Sequence, residues 1–402
     1  MKTIAILGTL DTKGEEHAYL AELIRARGHE ALLIDVGTQG APTVLPDVPR
    51  TELIGSQTFT DRGEAVAAIS QAAAAFCAKL VAEGKIDGII SLGGGGGTAI
   101  GTSAMRALPV GLPKLMVSTL AASENAPVYM GVKDVTMMPS IVDVAGLNRI
   151  SRPIFANAAG AICGMVETVV PAAEDKPVIA ASMFGNTTDC VNHAKGLLEA
   201  AGYEVLVFHA TGTGGRTMES LIETGLVAGV LDLTTTEWAD EHIGGILGAG
   251  PTRLEAAARA GVPAVIAPGC MDMVNFGEPD TVPAKFAGRT FYHHNPQVTL
   301  MRTSVDECLA LGKLLAGKIN LSTGPVRVLL PWDGISVISQ PDGPFHDGAA
   351  DEALFDTLKT HLRDDIAVEE FDCAINAPQF SKAAAKALLG MLGKQSHFQS
   401  QR

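Results

Sequence analysis

The chain has 402 residues, of which 47% are apolar and only 5% aromatic, and its formal net charge is −14. That length suits two domains of ordinary size, each able to bury its own core. The acidic balance does not suit nonspecific binding to nucleic acid or to an anionic lipid surface, and leaves room for local basic pockets.

No apolar run in the sequence approaches the length of a membrane span. The opening MKTIAILGTLDTKGEEH meets acidic residues too early for a signal peptide. Six scattered cysteines without a CxxC pair predict reduced thiols in a cytoplasm.

In chain order, a first domain is expected over 1–175. It opens with an apolar strand at 3–8, then a helix from Glu15 to Arg27 that stops at Gly28, then a strand at 31–36. A long Ala-spaced helix over 62–83 has Asp61 as its cap. Strands follow at 87–92 and 114–118. The stretch PAAEDKP at 171–177 reads as a linker.

The second domain is expected over 176–402. Its strands fall at 178–182, 204–209, 227–233 and 263–267. A helix opens after Pro251 and ends at Gly261. Residues 325–338 predict strands broken by a turn, and 351–362 a late helix. The polar tail from Lys394 is expected to fray.

The two halves repeat one another. IAILGTLDTKGEEHAYLAELIRARGHEALLIDVGTQG at 4–40 aligns without a gap on VIAASMFGNTTDCVNHAKGLLEAAGYEVLVFHATGTG at 178–214, with Gly28 on Gly202 and Glu30 on Glu204. Two later strands match in the same order. Strand, helix and strand in succession make a βαβ unit. The fold class expected is therefore α/β, with two Rossmann-like, doubly wound parallel-sheet domains related by an internal repeat. Ligands of such sheets sit beyond the carboxyl ends of the strands.

At one such end stand Gly93, Gly94, Gly95, Gly96 and Gly97, followed by Thr98. Backbone N–H groups at a helix start, unobstructed by side chains, suit a phosphate, and Thr98 can add a hydroxyl. The loop is neither a P-loop, since no Gly-Lys-Ser/Thr follows, nor a dinucleotide fingerprint at the first strand. The first βα turn offers Asp11, Thr12 and Lys13 to phosphate or Mg²⁺, or simply caps its helix. Ser118 ends another strand at the same edge.

In the second domain, Thr211, Gly212, Thr213, Gly214, Gly215 and Arg216 leave a strand and enter a helix. Amides, hydroxyls and a guanidinium suit a substrate carboxylate or phosphate. Polar clusters at other strand ends supply the catalytic candidates His209, Asp272, His294 and Asp333. Taken singly, each histidine reads as structural or solvated. No spacing matches a metal site.

These motifs together resemble a family of ATP-binding proteins that includes the plant inhibitor of tomato mosaic virus. GTLDTKG at 8–14, SLGGGGGT at 91–98, MMPSIVDVAGLNRISR at 137–152, FHATGTGGRTME at 208–219, GAGPTRLEAA at 248–257, PGCMDMVNFG at 268–277 and HNPQVTLMRT at 294–303 carry the resemblance. The residues Ala122-Ser123-Glu124-Asn125 and Pro139 depart from it locally.

The resemblance implies ATP on the N-terminal domain, a homodimer and a TIM-barrel partner protein. It adds Asn148 and Arg149 to Asp11, Lys13, Gly93–Thr98 and Ser118 around the nucleotide. The function expected is ATP·Mg²⁺ chemistry on a small carboxylate-bearing metabolite in a cleft between the domains. The alternatives are a nucleotide-gated regulatory module for the barrel partner and a glycosyltransferase-like sugar or acyl transferase.

Overall fold

Residues 3–8, TIAILG, are apolar on both sides, and only a strand covered on both faces can bury them all. The computed structural model describes residues 1–171 and 175–399, with the side chains from 394 onward excepted. The centre of the expected linker, 172–174, and the last three residues lie outside the described residues. The chain divides into two units, Met1–Ala173 and Glu174–Arg402.

In the first unit, β1 (Thr3–Gly8), α1 (Leu10–Ala26) and β2 (Glu30–Asp35) form the first βαβ turn. Then come α2 (Thr51–Ile54), α3 (Arg62–Ala82), β3 (Gly88–Gly93), α4 (Gly95–Arg106), β4 (Lys114–Ser118), α5 (Ala126–Met130), β5 (Thr136–Pro139) and α6 (Ser151–Glu167). The strands pair in parallel in the order β2-β1-β3-β4-β5.

Alternation along β1 sends Ile4 and Ile6 to one face with Phe155 and Ile162 of α6, and Ala5 and Leu7 to the other with Ile69 of α3 and Ile100 of α4. Helices on both faces make the sheet doubly wound. The Asp61 side chain accepts the Glu64 amide at 2.9 Å, as its place before the helix predicts.

By length and composition α3 is apolar enough to cross a membrane, which corrects the sequence reading that no run approaches that length. Alanine supplies the apolarity. Ala65, Ile69, Ala73, Cys77 and Leu80, three or four residues apart, bury one stripe against the sheet as a core helix does.

The second unit has β6 (Val178–Met183), α7 (Thr188–Ala200), β7 (Glu204–His209), α8 (Thr213–Ile222), β8 (Val227–Thr234), α9 (Glu237–Ile243), α10 (Glu255–Ala260) and β9 (Ala264–Gly269). It continues with β10 (Met273–Phe276), β11 (Phe291–Asn295), β12 (Val298–Arg302), α11 (Val305–Ile319), β13 (Val326–Pro331), α12 (Gly348–His361), β14 (Ala367–Phe371) and α13 (Pro378–Gln399). The parallel sheet runs β14-β13-β9-β8-β6-β7, and β10-β12-β11 form a small antiparallel sheet.

Three differences from the sequence reading have physical reasons. Only 326–331 of the stretch 325–338 is strand, because Gly334 at φ 120° turns the chain and the Ile335 carbonyl accepts the Cys270 amide at 2.9 Å. The tail expected to fray continues as helix to Gln399, where no proline or glycine follows Gly393 to stop it. The gapless alignment of the halves also slips. Thr3 pairs with Glu30 while Val178 pairs with Glu204, so the first turn of the second unit is shorter by one residue.

All six cysteines are free thiols buried in the cores. Burial pushes those of Cys77 and Cys190 up to about 12.

Candidate functional site

The glycine run lies between the end of β3 and the start of α4. Its first intrahelical bond runs from the Thr98 amide to the Gly94 carbonyl at 2.8 Å. That leaves the amides of Gly95, Gly96 and Gly97 without a helical acceptor. Two of the glycines differ in what they demand. A Cβ on Gly93 would stand 2.8 Å from the Gly97 Cα, so packing requires glycine there. A Cβ on Gly95 would meet nothing within 4 Å. Protein packing does not explain glycine at 95, whereas backbone access for a bound group does.

These amides face a cleft of about 330 Å³. Thr12 and Lys13 line it from α1, Thr38 and Gln39 from the loop after β2, Arg62 from the start of α3, and Asp143 from the segment after β5. Lys13 sits at a break in α1, with φ −135° and ψ 33°. Its ammonium donates to the Val144 carbonyl, and its own carbonyl bonds Nδ1 of the buried His17 at 2.7 Å. Burial holds the His17 pKa below the usual imidazole value. The His17 bond fixes the turn that aims Lys13.

The expected nucleotide residues thus separate into groups. Thr12, Lys13 and Gly94–Gly97 share the cleft, and Gly93 closes the strand beneath it. Thr98 and Ser118 are wholly buried under the loop, their hydroxyls 2.7 Å apart, and the Ser118 oxygen accepts the Leu120 amide. They shape the loop rather than face the cleft. Asp11 turns away to accept the Gln39 and Gly40 amides at 2.8 and 3.2 Å, which orders the loop carrying Gln39. Asn148 caps α6 by accepting the Ile150 and Ser151 amides, and Arg149 is exposed; neither lines the cleft.

Sequence reasoning missed Arg62 and Asp143. Arg62 follows a visible cap residue, and Asp143 stands inside MMPSIVDVAGLNRISR. Neither carries a local signature of its role.

In the second unit the glycine loop is already filled. The Glu237 carboxylate accepts the Gly212 amide at 2.7 Å and the Gly215 amide at 3.1 Å. A Cβ on Gly215 would run into that carboxylate, so packing accounts for the glycine. The amides expected to hold a substrate carboxylate hold the protein's own, and Arg216 lies exposed, bonded to Thr213. Thr211 bonds its hydroxyl to the His209 carbonyl at 3.3 Å. Gly214 packs on that same carbonyl.

The second oxygen of Glu237 meets Arg253 Nε at 2.7 Å. The Arg253 guanidinium also grips Asp232 through two bonds of 2.5 and 2.7 Å and reaches Glu219 at 3.1 Å. Burial opposes the Arg253 charge, but Asp232, Glu237 and Glu219 overcome it and raise its pKa well above the usual value. Three carboxylates around one buried cation leave excess negative charge, and burial correspondingly raises the Glu219 carboxyl.

No hydrogen bond among the described residues joins any two of the catalytic candidates. His209, His294 and Asp333 are exposed. Asp272 is fully buried, takes the Ser336 hydroxyl at 2.7 Å, and is pushed up to about 6 by burial against the pull of Arg302. No group of metal-ligating side chains assembles among the described residues.

Residues 2–171 match the N-terminal domain of the uncharacterised protein family UPF0261, and 176–392 match its C-terminal domain. A UPF0261 protein of Clostridium tetani (strain Massachusetts / E88) is 48% identical, over 98% of this chain and 100% of its own length. The tomato (Solanum lycopersicum) ToMV resistance protein Tm-1(GCR237) is 36% identical over 98% of this chain, which spans 56% of that longer protein. Among solved structures, UDP-GlcNAc 2-epimerase from Neisseria meningitidis is similar in fold alone, at 10% identity and a TM-score of 0.26 over 90% of this chain and 100% of that one.

Proposed function

The chain belongs to the uncharacterised protein family UPF0261, and on that footing we propose that its first unit binds ATP with Mg²⁺. The amide of Gly95, opening into a cleft where a side chain would meet no protein atom, carries the reading. Gly95, Gly96 and Gly97 hold phosphate oxygens through their amides, aided by the positive end of the α4 dipole. Lys13 and Arg62 offset the phosphate charge from two walls. Thr12, Thr38 and Gln39 add neutral hydrogen-bonding groups. Mg²⁺ would enter with the nucleotide on its phosphate oxygens and would keep several of its waters.

What the nucleotide does follows from the chemistry of a bound triphosphate. It supplies an activated phosphoryl or nucleotidyl group, and the amide cradle stabilises charge that develops on it. The protein acts on this reading as a cytoplasmic enzyme or enzyme subunit working on a small metabolite, and as a homodimer.

A second reading is a nucleotide-gated regulatory module for a TIM-barrel partner, without turnover. It draws on the tomato relative, which is named for virus resistance and extends well beyond the matched part.

Isothermal titration with ATP, with and without Mg²⁺, tests the placement on the native chain, Lys13→Ala and Gly95→Asp. Micromolar binding that needs Mg²⁺ and is lost in both variants is expected. Unchanged binding in Gly95→Asp overturns it. Release of phosphate or pyrophosphate in a metabolite screen decides between enzyme and module.

A further inference from the structure

A second cavity of about 510 Å³ adjoins the glycine cleft, and Asp143 lines both. Its other walls are Ser118, Thr119 and Ala122 from the end of β4 onward and the run Pro139–Val142 from the end of β5 onward.

The cavity's chemistry can be read group by group. The Ser118 hydroxyl is engaged with Thr98 and the Leu120 amide, and the Ser140 hydroxyl donates to the Val142 carbonyl at 2.7 Å. The Thr119 hydroxyl and the Asp143 carboxylate have no hydrogen-bond partner among the described residues. A Cβ on Gly94 would lie 3.8 and 3.9 Å from them, so both stand over the start of the glycine run. Among the described residues no cationic side chain lines this cavity.

The apolar wall is held in an unusual way. Ile141 has φ 64° and is 77% exposed. The Val142 amide donates to the Ser140 carbonyl at 2.7 Å, closing a γ-turn of the strained hand around Ile141. The Ser140 amide ties the turn to the Ser118 carbonyl at 3.1 Å. A β-branched residue in this conformation is a backbone outlier, and such strain gathers at ligand sites. Here it turns a largely exposed isoleucine outward beside the cavity.

We propose that this cavity is a separate subsite for the nucleotide's co-ligand, a small alcohol or amine with an apolar body. Asp143 accepts its hydroxyl or ammonium hydrogen, Thr119 adds a second hydrogen bond, and Ile141 covers the apolar part. A carboxylate is disfavoured, since it would meet Asp143 with no cation to offset the repulsion. The inference deepens the nucleotide reading and rests on it for the word co-ligand, although the cavity's preference stands apart.

Saturation-transfer NMR on the full chain tests it with three probes of equal chain length: n-butylamine, n-butanol and butyrate. Butylamine and butanol should bind and butyrate should not. Butylamine should bind about tenfold more weakly to Asp143→Asn, the loss of one hydrogen bond to a charged group. Thr119→Val should weaken butanol. Saturating ATP·Mg²⁺ should leave butylamine bound.

Butyrate binding as well as butylamine overturns the assignment, as does indifference of butylamine to Asp143→Asn. Displacement of butylamine by ATP·Mg²⁺ overturns the separate subsite, because one ligand then spans both cavities. Loss of the Mg²⁺ requirement for ATP in Asp143→Asn gives the carboxylate to the metal and also overturns it. Failure of the native chain to bind ATP sinks the nucleotide reading alone, since the three probes are compared without nucleotide.

Discussion

Glu237 occupies the place of a bound anion on Gly212. Its Oε1 takes the Gly212 amide at 2.7 Å and the Gly215 amide at 3.1 Å, while Oε2 takes Arg253 at 2.7 Å. The carboxylate joins the start of α8 to the buried charge network. Glu237→Ala leaves two buried amides and one guanidinium edge without their acceptor. The two orphaned amides cost about 1–3 kcal/mol each, while Arg253 keeps Asp232 and Glu219. Urea denaturation should show that loss, with Glu237→Gln losing less; a change under about 0.5 kcal/mol contradicts it.

Burial pushes the Asp240 carboxyl up to about 7, against hydrogen bonds from the Asn275 amide at 2.8 Å and its side chain at 2.7 Å, and nearby Glu237 pushes it further. The folded state therefore holds a proton that the unfolded chain releases near pH 4. Stability from this group is full below the unfolded pKa and falls as pH rises toward 7, by up to about 1.4 kcal/mol per pH unit. Asp240→Asn removes that slope. The Asn275 Oδ1 has no partner, so a turned amide can receive the new NH₂. Melting curves from pH 4 to 8 should converge at low pH and favour Asp240→Asn at high pH. Parallel curves refute the assignment.

The two glycines of the first unit's loop should respond oppositely to alanine. Gly93→Ala forces a methyl to 2.8 Å from the Gly97 Cα and should destabilise by about 1–3 kcal/mol. Gly95→Ala meets open space and should leave stability within about 0.5 kcal/mol while weakening ATP. Thermal melts and nucleotide titration on both variants check the pair. Equal loss of stability in the two would show that packing, not a ligand, requires the run.

Ile141 stores strain that asparagine tolerates better. Relief of a left-handed, β-branched residue is of order 1 kcal/mol. Ile141→Asn should raise the urea midpoint and weaken n-butanol binding at the adjoining cavity. A lower midpoint would mean that the isoleucine packs in a way its exposure does not indicate.

The βαβ alternation was legible because buried parallel strands are continuous apolar runs, as TIAILG and GIISLG are. The Asp61 cap was legible because capping is local. The antiparallel strands at 273–276, 291–295 and 298–302 were not. FYHHN ends in three exposed polar residues, and its pairing with 298–302 is set by tertiary contact. One readable signal was passed over: Ser304 and Glu307 make a reciprocal capping box at the start of α11.

At the sites, spacing showed where glycine loops lie but not what fills them. Glu237 lies far along the chain from Gly212 and plugs it, while Gly95 stays open. Both loops are glycines between a strand and a helix, and only the three-dimensional neighbour separates them. Asp143 was hidden for the same reason, since its value comes from two cavities that meet at its side chain.

Every native thiol lies in a core, and Cys77 and Cys190 are far from ionising at neutral pH. Thiolate, not thiol, is the reactive form. The chain therefore has a silent background for labelling, and a single cysteine introduced on the surface becomes its only fast-reacting position. A fluorophore or spin label placed near the cleft's rim, outside the residues that hold the nucleotide, would report nucleotide arrival without removing any native cysteine.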